Sequence, residues 1–390
     1  MAVNSIDLFF SRPKRILKAL GIWLTPARPM LLHSFYTAFI MLTQYAFILF
    51  EFIYIAGVWG EIEAMSEASY LLFTQASVCY KVTVFLFNKK NLNVLMEFMY
   101  MHIFTPQTEE QEKILIKLSD QIKRLCMFFL TSALTTCTLW ALMPLLDGTG
   151  DRFFPFRIWM PFGPEKSPQF EIGYVYQMGS IYISASLFFA VDSVTLGMIM
   201  FGCAQLEIII DKLQKMQSVP LSSKLTDEQR TMRISNNNKL FVECIDQHQT
   251  VIRFIEIVEN TYHANIFFQL SGTVAIICII GLRITMSEPS SIQFYSMLIY
   301  MVTMLSQLLL YCWCGSELTT RSQELRDSLY QSPWYEQDKH FKKSLLITME
   351  CMKKAIVFKA GHYIPLSRPT FVSILRSSYS FFAVLNQTRN

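Results

Sequence analysis

Seven apolar stretches can be drawn along the chain, at about 31–56, 66–87, 122–146, 173–200, 264–285, 292–314 and 366–384. Each approaches or exceeds the roughly 20 residues a helix needs to cross the ~30 Å hydrocarbon core of a bilayer. The third is expected to stop at Pro144, before a Pro, Gly and aromatic stretch (147–172) that predicts no helix. Its aromatics Phe153, Phe154, Phe156, Trp159 and Phe162 predict an outer lid that dips toward the headgroups. The fourth helix is expected to continue past the membrane through 205–216.

Two further segments carry an apolar stripe on a polar background. Over 225–263, Leu240, Phe241, Cys244, Ile245, His248, Val251, Ile252 and Ile255 recur at helical spacing and lead directly into the fifth span. Over 334–358, Phe341, Leu345, Met349, Met352 and Ile356 do the same, with too many charges for a crossing. Gly361, Pro365 and Pro369 then predict a break before the last span. Such stripes need cover, either from each other in a self-contained bundle or from a second subunit. The subunit interface is the sharper expectation, because membrane spans alone supply little hydrophobic drive for association.

Charge orients these spans. The N-terminal segment holds Arg12, Lys14, Arg15, Lys18 and Arg28, whereas the first connection holds only Glu61 and Glu63. The second has Lys89, Lys90, Lys113, Lys117, Lys123 and Arg124, and the third only Arg152, Arg157 and Lys166. The fourth carries seven Lys and Arg from Lys212 to Arg253, the fifth Arg283 alone, and the sixth eight from Arg321 to Lys359. Because Lys and Arg resist translocation, the N-terminus and the even connections lie in the cytosol and the C-terminus lies outside. A G-protein-type receptor would need the opposite orientation.

Composition agrees with a membrane protein. Of 390 residues, 52% are hydrophobic and only 16% charged, too apolar for an ordinary soluble domain. The net charge of +4 is spread over inner segments, so it reports orientation and predicts no nucleic-acid surface. Residues 1–20 alternate polar and apolar, and no secretory signal precedes the first apolar run after Pro29. The nine cysteines fall in spans or inner connections, away from oxidising loops, and read as structural thiols. Six scattered histidines with no HExxH spacing, and no Gly-rich phosphate loop, predict neither an enzyme nor a metal or cofactor site. Lys81 and Asp192 fall near inner span ends, where charges can reach the interface; structural pairing is expected of them. No internal repeat or matching pair of broken helices suggests a solenoid or transporter.

The last eighty residues resemble the insect odorant receptor family. The resemblance runs through Trp313, Gly315, Glu317 and Leu318, then Ser322, Leu325, Tyr330 and Trp334, then Leu346, Met349, Lys354, Ala360 and Gly361. It ends in Thr370, Phe371, Ile374, Leu375, the run Ser378-Tyr379-Ser380-Phe381-Phe382, and Leu385; Asp192 sits where the family tends to keep an acid. Ala355 departs from the proline the family often places after its basic pair, here Lys353-Lys354. The sister gustatory receptors, an alternative, end in a Thr-Tyr … Gln-Phe pattern where this chain reads Tyr379 … Asn386-Gln387-Thr388. The family's coreceptor has a long insertion between spans four and five, for which the 218–227 loop has no room, so the chain resembles a ligand-tuning subunit.

The resemblance implies an all-α, seven-helix odorant receptor: an odorant-gated, non-selective cation channel built as a heterotetramer with coreceptor subunits, in the plasma membrane of sensory dendrites. The expected division is a cytosolic segment 1–30, membrane helices one to four at 31–200 with outer loop 147–172, and cytosolic extensions at 201–263. Helices five and six follow at 264–318, an amphipathic region at 319–360, and a pore-lining helix with a short outer tail at 361–390. Ser380, Val384 and Thr388 share one helical stripe with Gln387 beside it, and Val384 is the candidate hydrophobic gate. The implied pocket for a small volatile ligand lies in the outer half of spans two, three, four and six. Its candidates are Phe73, Ser77, Thr136, Trp140, Tyr182, Ser186, Met297, Tyr300 and Met304, a set of aromatics, methionines and hydroxyls suited to such a ligand.

Overall fold

A computed structural model describes residues 5–23, 31–146, 152–219, 226–289 and 291–389, without the side chains of 62, 63, 385, 386, 388 and 389. Arg28, the loop residues 147–151 and 220–225, and the Thr388 side chain named above lie outside the described residues. Among those described, the long helices are α2 (Leu31–Gly57), α3 (Ile62–Phe87), α5 (Glu109–Leu146), α6 (Gln169–Gln214), α7 (Asp227–Met286), α8 (Ile292–Gln331) and α10 (Arg368–Arg389). Shorter are α1 (Ser5–Ala19), α4 (Lys89–Met99) and α9 (Lys339–Cys351), with a hairpin of β1 (Lys359–Ala360) and β2 (Ile364–Pro365).

Six of these helices (α2, α3, α5, α6, α7 and α8) are long and apolar enough to cross a membrane. The seventh, α10, carries Arg368, Arg376 and Arg389 and is less apolar, yet its 22 residues reach about 33 Å. At the centre stands α6, with every residue from Leu187 to Leu206 buried, as a helix apolar on all sides apart from Asp192 and a few small or amide side chains requires. By contrast α2 turns Leu31, Phe35, Phe39 and Phe52 outward, a lipid-facing side.

Several boundaries move for identifiable reasons. Pro144 lies inside the last turn of α5, and the helix stops two residues later at Leu146. The N-terminal segment is an amphipathic helix: Ile6, Phe9, Phe10, Pro13 and Leu17 bury one face, and Ser119 Oγ on α5 donates to Leu8 O at 2.7 Å. Its polar alternation therefore follows the helical period. Likewise α4, unpredicted, buries Leu92, Leu95, Met96 and Met99 at three- and four-residue spacing. The second amphipathic helix is shorter than 334–358, because Asp338 caps α9 by accepting from Phe341 N at 2.8 Å. Its far end stops at Cys351, and the backbone then commits to the hairpin, with Ser322 Oγ taking the Ile356 N–H at 3.0 Å.

Two glycines make the hairpin possible. Gly361 adopts φ 60° and donates its N–H to His263 O at 3.0 Å. Gly315 on α8 lets the chain after the hairpin pass close, since a Cβ there would sit 2.5 Å from Leu366 O. Pro369 falls in the first turn of α10, where its missing N–H costs little.

Inside the cell, α6 and α7 run on unbroken from their membrane spans, α7 for 60 residues from a capping box at Thr226 and Gln229. The apolar stripes close on one another within the chain. Phe241 of α7 meets Phe341 of α9 at a ring separation of 4.6 Å, and Phe254 packs on Phe98, Phe104 and Phe201. The bundle is thus self-contained, and the sharper expectation of a subunit interface for these stripes is corrected. What stays exposed on the inner segments is a different set that includes Met232, Val242, Tyr330, Tyr335, Leu346 and Ile347. His248 is enclosed in this bundle, and burial lowers its imidazole to about 4.

The outer loop also differs from expectation. Phe156 turns inward and is buried, packing on Phe47 and on Trp140, while its N–H donates to Gln177 Oε1 at 3.0 Å. Phe154 stacks on Phe170, and Trp159 N donates to Phe50 O at 3.1 Å. Phe156 thus caps the helices from within, while Trp159 keeps 44% of its surface exposed.

Candidate functional site

Beneath Phe156, α3, α5, α6 and α8 enclose a cavity of about 50 Å³. Apolar groups make most of its wall: Leu71 and Val78 from α3, Phe129 and Ala133 from α5, Ile181, Ala185 and Phe188 from α6, and Met304 from α8. An aromatic cluster closes the outer end, with Trp140 5.1 Å from Tyr300 and 5.2 Å from Phe156 between ring centroids, and Tyr70 behind Tyr300 at 5.7 Å. These separations suit edge and tilted contacts, which hold aromatic rings in fixed orientations.

The wall's hydroxyl protons are spoken for within the protein. Thr136 Oγ1 donates to Ser132 O at 3.0 Å, Thr303 Oγ1 donates to Ile299 O at 2.9 Å, and Thr74 Oγ1 bonds to the Tyr300 hydroxyl. Ser184 Oγ lies 2.5 Å from Gln44 Oε1 and 2.6 Å from Gln75 Oε1. One hydroxyl proton serves only one of these amides, so the other turns its N–H toward the Ser184 oxygen. Gln44 also donates from Nε2 to Ser180 O at 3.4 Å, which favours Gln75 as the amide that turns. Among the described residues, no Asp, Glu, Lys, Arg or His side chain lines the cavity.

Immediately inward of the cavity lies a buried ion pair. Asp192 Oδ1 on α6 accepts from Lys81 Nζ on α3 at 2.6 Å and from the Tyr311 hydroxyl on α8 at 2.7 Å, while Gln307 Nε2 donates to Oδ2. Gln269 of α7 donates to Gln307 Oε1 at 2.6 Å, so four helices share the network. Lys81 Nζ also sits 4.2 Å from the centroid of Phe188, whose ring walls the cavity. The side chains of Lys81 and Asp192 are only 2% and 4% exposed, so these charges are satisfied internally and do not reach the interface.

Of the sequence-derived pocket residues, Thr136, Trp140, Tyr300 and Met304 come together on the cavity wall. The other five lie elsewhere. Phe73 faces outward at 40% exposure, and Ser77 is buried toward Gly272 of α7. Tyr182 turns its hydroxyl to Thr138 at 3.1 Å, Ser186 donates to Tyr182 O at 2.8 Å, and Met297 is buried one turn outward of Tyr300. Of the wall residues not singled out from sequence, Gln75, Ser184 and Phe188 sit two positions from those named, and Phe129 lies two turns before Thr136. On α10, Ser380, Val384 and Gln387 share an exposed face, while Phe382 packs toward Gly281 of α7 on the opposite side.

Comparison with known proteins bears on the whole chain. A family model described as 7tm Odorant receptor matches residues 61–379. Odorant receptor Or1 of Anopheles gambiae is 23% identical over 341 residues, 83% of this chain and 81% of that protein. Odorant receptor 46a, isoform A, of Drosophila melanogaster is 22% identical over 394 residues, covering 99% and 100% of the two. The fold is similar to that of the insect olfactory receptor OR5 from Machilis hrabei in complex with eugenol, with a TM-score of 0.81, 14% identity, and coverage of 99% of this chain and 100% of that one.

Proposed function

Because the chain belongs to the 7tm odorant receptor family, we propose that it is the ligand-tuning subunit of an odorant-gated, non-selective cation channel, assembled with coreceptor subunits in the plasma membrane of sensory dendrites. The observation that carries this reading is the enclosed, uncharged, aromatic-capped cavity in the outer half of the helical bundle. A small volatile fits such a site through dispersion contact with rings and Met304, and through few polar groups.

The cavity's size supports a gating role. At about 50 Å³ it is roughly a third of the ~150 Å³ that admits benzene in an engineered soluble protein. A ring-sized ligand therefore requires Met304, Phe188 and their helices to give way, and it binds an expanded arrangement better than the closed one. That differential affinity is what a ligand needs to shift a conformational equilibrium. Movement of α8 reaches α7 through Gln307 and Gln269, and α7 packs against the pore helix at Gly281 and Phe382. Val384, on the exposed face of α10, is the residue we assign to the hydrophobic constriction, and Ser380 and Gln387 share that face.

Two-electrode recording from cells expressing the chain with and without an odorant coreceptor tests this directly. A cation current evoked by volatile esters, ketones or aromatics only when both subunits are present, and altered by Val384→Ala, is the expected outcome. A chain that reaches the surface beside its coreceptor yet stays silent across a broad panel overturns the channel reading.

A further inference from the structure

The cytosolic side of the bundle carries a smaller opening, remote from the ligand cavity. Arg12 of α1, Lys123 of α5 and Ser193 of α6 surround a notch of about 20 Å³, floored by Phe9, Ile122 and Phe189. That volume admits one small group. Lys123 stands at the inner start of the third span, so the notch lies level with the headgroups of the inner leaflet. At its base the Ser193 hydroxyl is buried, the residue being 8% exposed, and has no hydrogen-bond partner. A buried hydroxyl left unpaired is costly and calls for a partner from outside the chain.

The rim is more basic than its own acids neutralise. Lys123 meets Asp120 at 3.5 Å, but that carboxylate is 57% exposed, and Asp7 is taken by Lys14 at 2.8 Å. Among the described residues Arg12 and Lys18 have no ion-pair partner, and Arg15 and Arg124 turn Nε back to the carbonyls of Ser11 and Asp120. Orientation in the membrane accounts for cations on this side. It does not require them to converge on a notch with an unpaired hydroxyl at its base. Outward from Arg124, α5 presents Phe128, Thr131 and Thr135 on its exposed face, a track along which an acyl chain can lie.

We propose that this notch between α1, α5 and α6 binds an anionic phospholipid of the inner leaflet. A phosphate oxygen enters it and accepts the Ser193 hydroxyl proton, while the Arg12 guanidinium and the Lys123 ammonium neutralise the phosphate. The acyl chain follows Phe128. The cytosolic leaflet supplies such lipids, and its negative surface draws basic segments toward it. A zwitterionic lipid brings its own cation beside the phosphate, against a rim that is already basic. Bound there, the lipid ties α1 to α5, adding to the bond from Ser119 Oγ to Leu8 O. The site stands apart from the odorant and channel readings and does not depend on either.

The test follows the melting midpoint of the full-length chain in a neutral detergent, titrated with phosphatidylserine, phosphatidylinositol, phosphatidylcholine or inorganic phosphate. Both anionic lipids are expected to raise the midpoint saturably, and the other two to leave it unchanged. Arg12→Gln/Lys123→Gln should weaken the anionic lipids about thirtyfold, at about fivefold per cation. Arg15→Gln/Lys18→Gln removes the same charge from α1 outside the notch and should weaken them less than about fivefold. An equal loss in the two double variants means diffuse attraction to a basic surface and overturns the site. An equal response to phosphatidylcholine overturns it too, and that comparison needs no variant to fold. A response to inorganic phosphate as large as that to the lipids assigns the notch to a free anion and overturns the lipid.

Discussion

Neutralising one side of the buried ion pair should cost very different amounts depending on which side is removed. Asp192→Leu strands the Lys81 ammonium beside the rings of Phe188 at 4.2 Å and Tyr311 at 5.6 Å. Lys81→Met leaves Asp192 with two donors, the Tyr311 hydroxyl and the Gln307 amide. At 2.6 Å and an effective dielectric of ~20, the gross attraction is about 6 kcal/mol, much of it cancelled by desolvation. Breaking a buried pair from one side typically costs ~3–5 kcal/mol, and Asp192→Leu should sit at the upper end and Lys81→Met at or below the lower. The double variant Lys81→Met/Asp192→Leu removes both charges together and should be more stable than Asp192→Leu alone. Melting of the purified complex followed by tryptophan fluorescence gives the readout, a fall of roughly 6–10 °C for the single change at ~2 °C per kcal/mol. If the double variant loses as much as the two singles combined, the charges are not coupled and the reasoning fails.

Two other outcomes follow from the same structure. Ala133→Leu places three more carbons in the cavity, so the concentration of any activating odorant should rise at least about tenfold while surface expression holds; unchanged potency would put the ligand elsewhere. His248 is held neutral at about 4 in the folded bundle against ~6.5 when unfolded, so the unfolded chain binds more protons between these values. Stability should therefore be flat above pH ~6.5 and fall on acidification toward 4, by up to ~3 kcal/mol, and melting curves of His248→Gln should lack that component.

The spans and their orientation were legible because their two signals, long apolar windows and alternating basic connections, survive without tertiary information. The hairpin before α10 was visible only as a break, since its register depends on Gly361 meeting His263 and on the close pass over Gly315. Site residues were harder to read for a physical reason. A membrane helix is apolar both where it faces lipid and where it faces its neighbours, so periodicity does not say which side is which. Phe73 and Thr74 are adjacent, yet one is exposed and the other walls the cavity. The inner stripes of α7 and α9 were legible as stripes because water opposes them there, and what the sequence left open was only what covers them. Thr136 and Trp140 on α5, and Tyr300 and Met304 on α8, face the same space because each pair is four residues, about one turn, apart.

The unbroken α7 has a mechanical consequence. At 1.5 Å per residue its 60 residues form a rod about 90 Å long, held to α8 near Gln269. From that point the outer arm to Met286 is about 26 Å and the inner arm to Asp227 about 63 Å. A rod pivoting there magnifies motion toward the cytosol some 2.5-fold by the ratio of these arms, so an ångström of yielding at the outer end becomes more than two at the inner. If it turns as one body about that point, α7 carries a displacement at the outer end of the bundle, enlarged, into the cytosolic bundle.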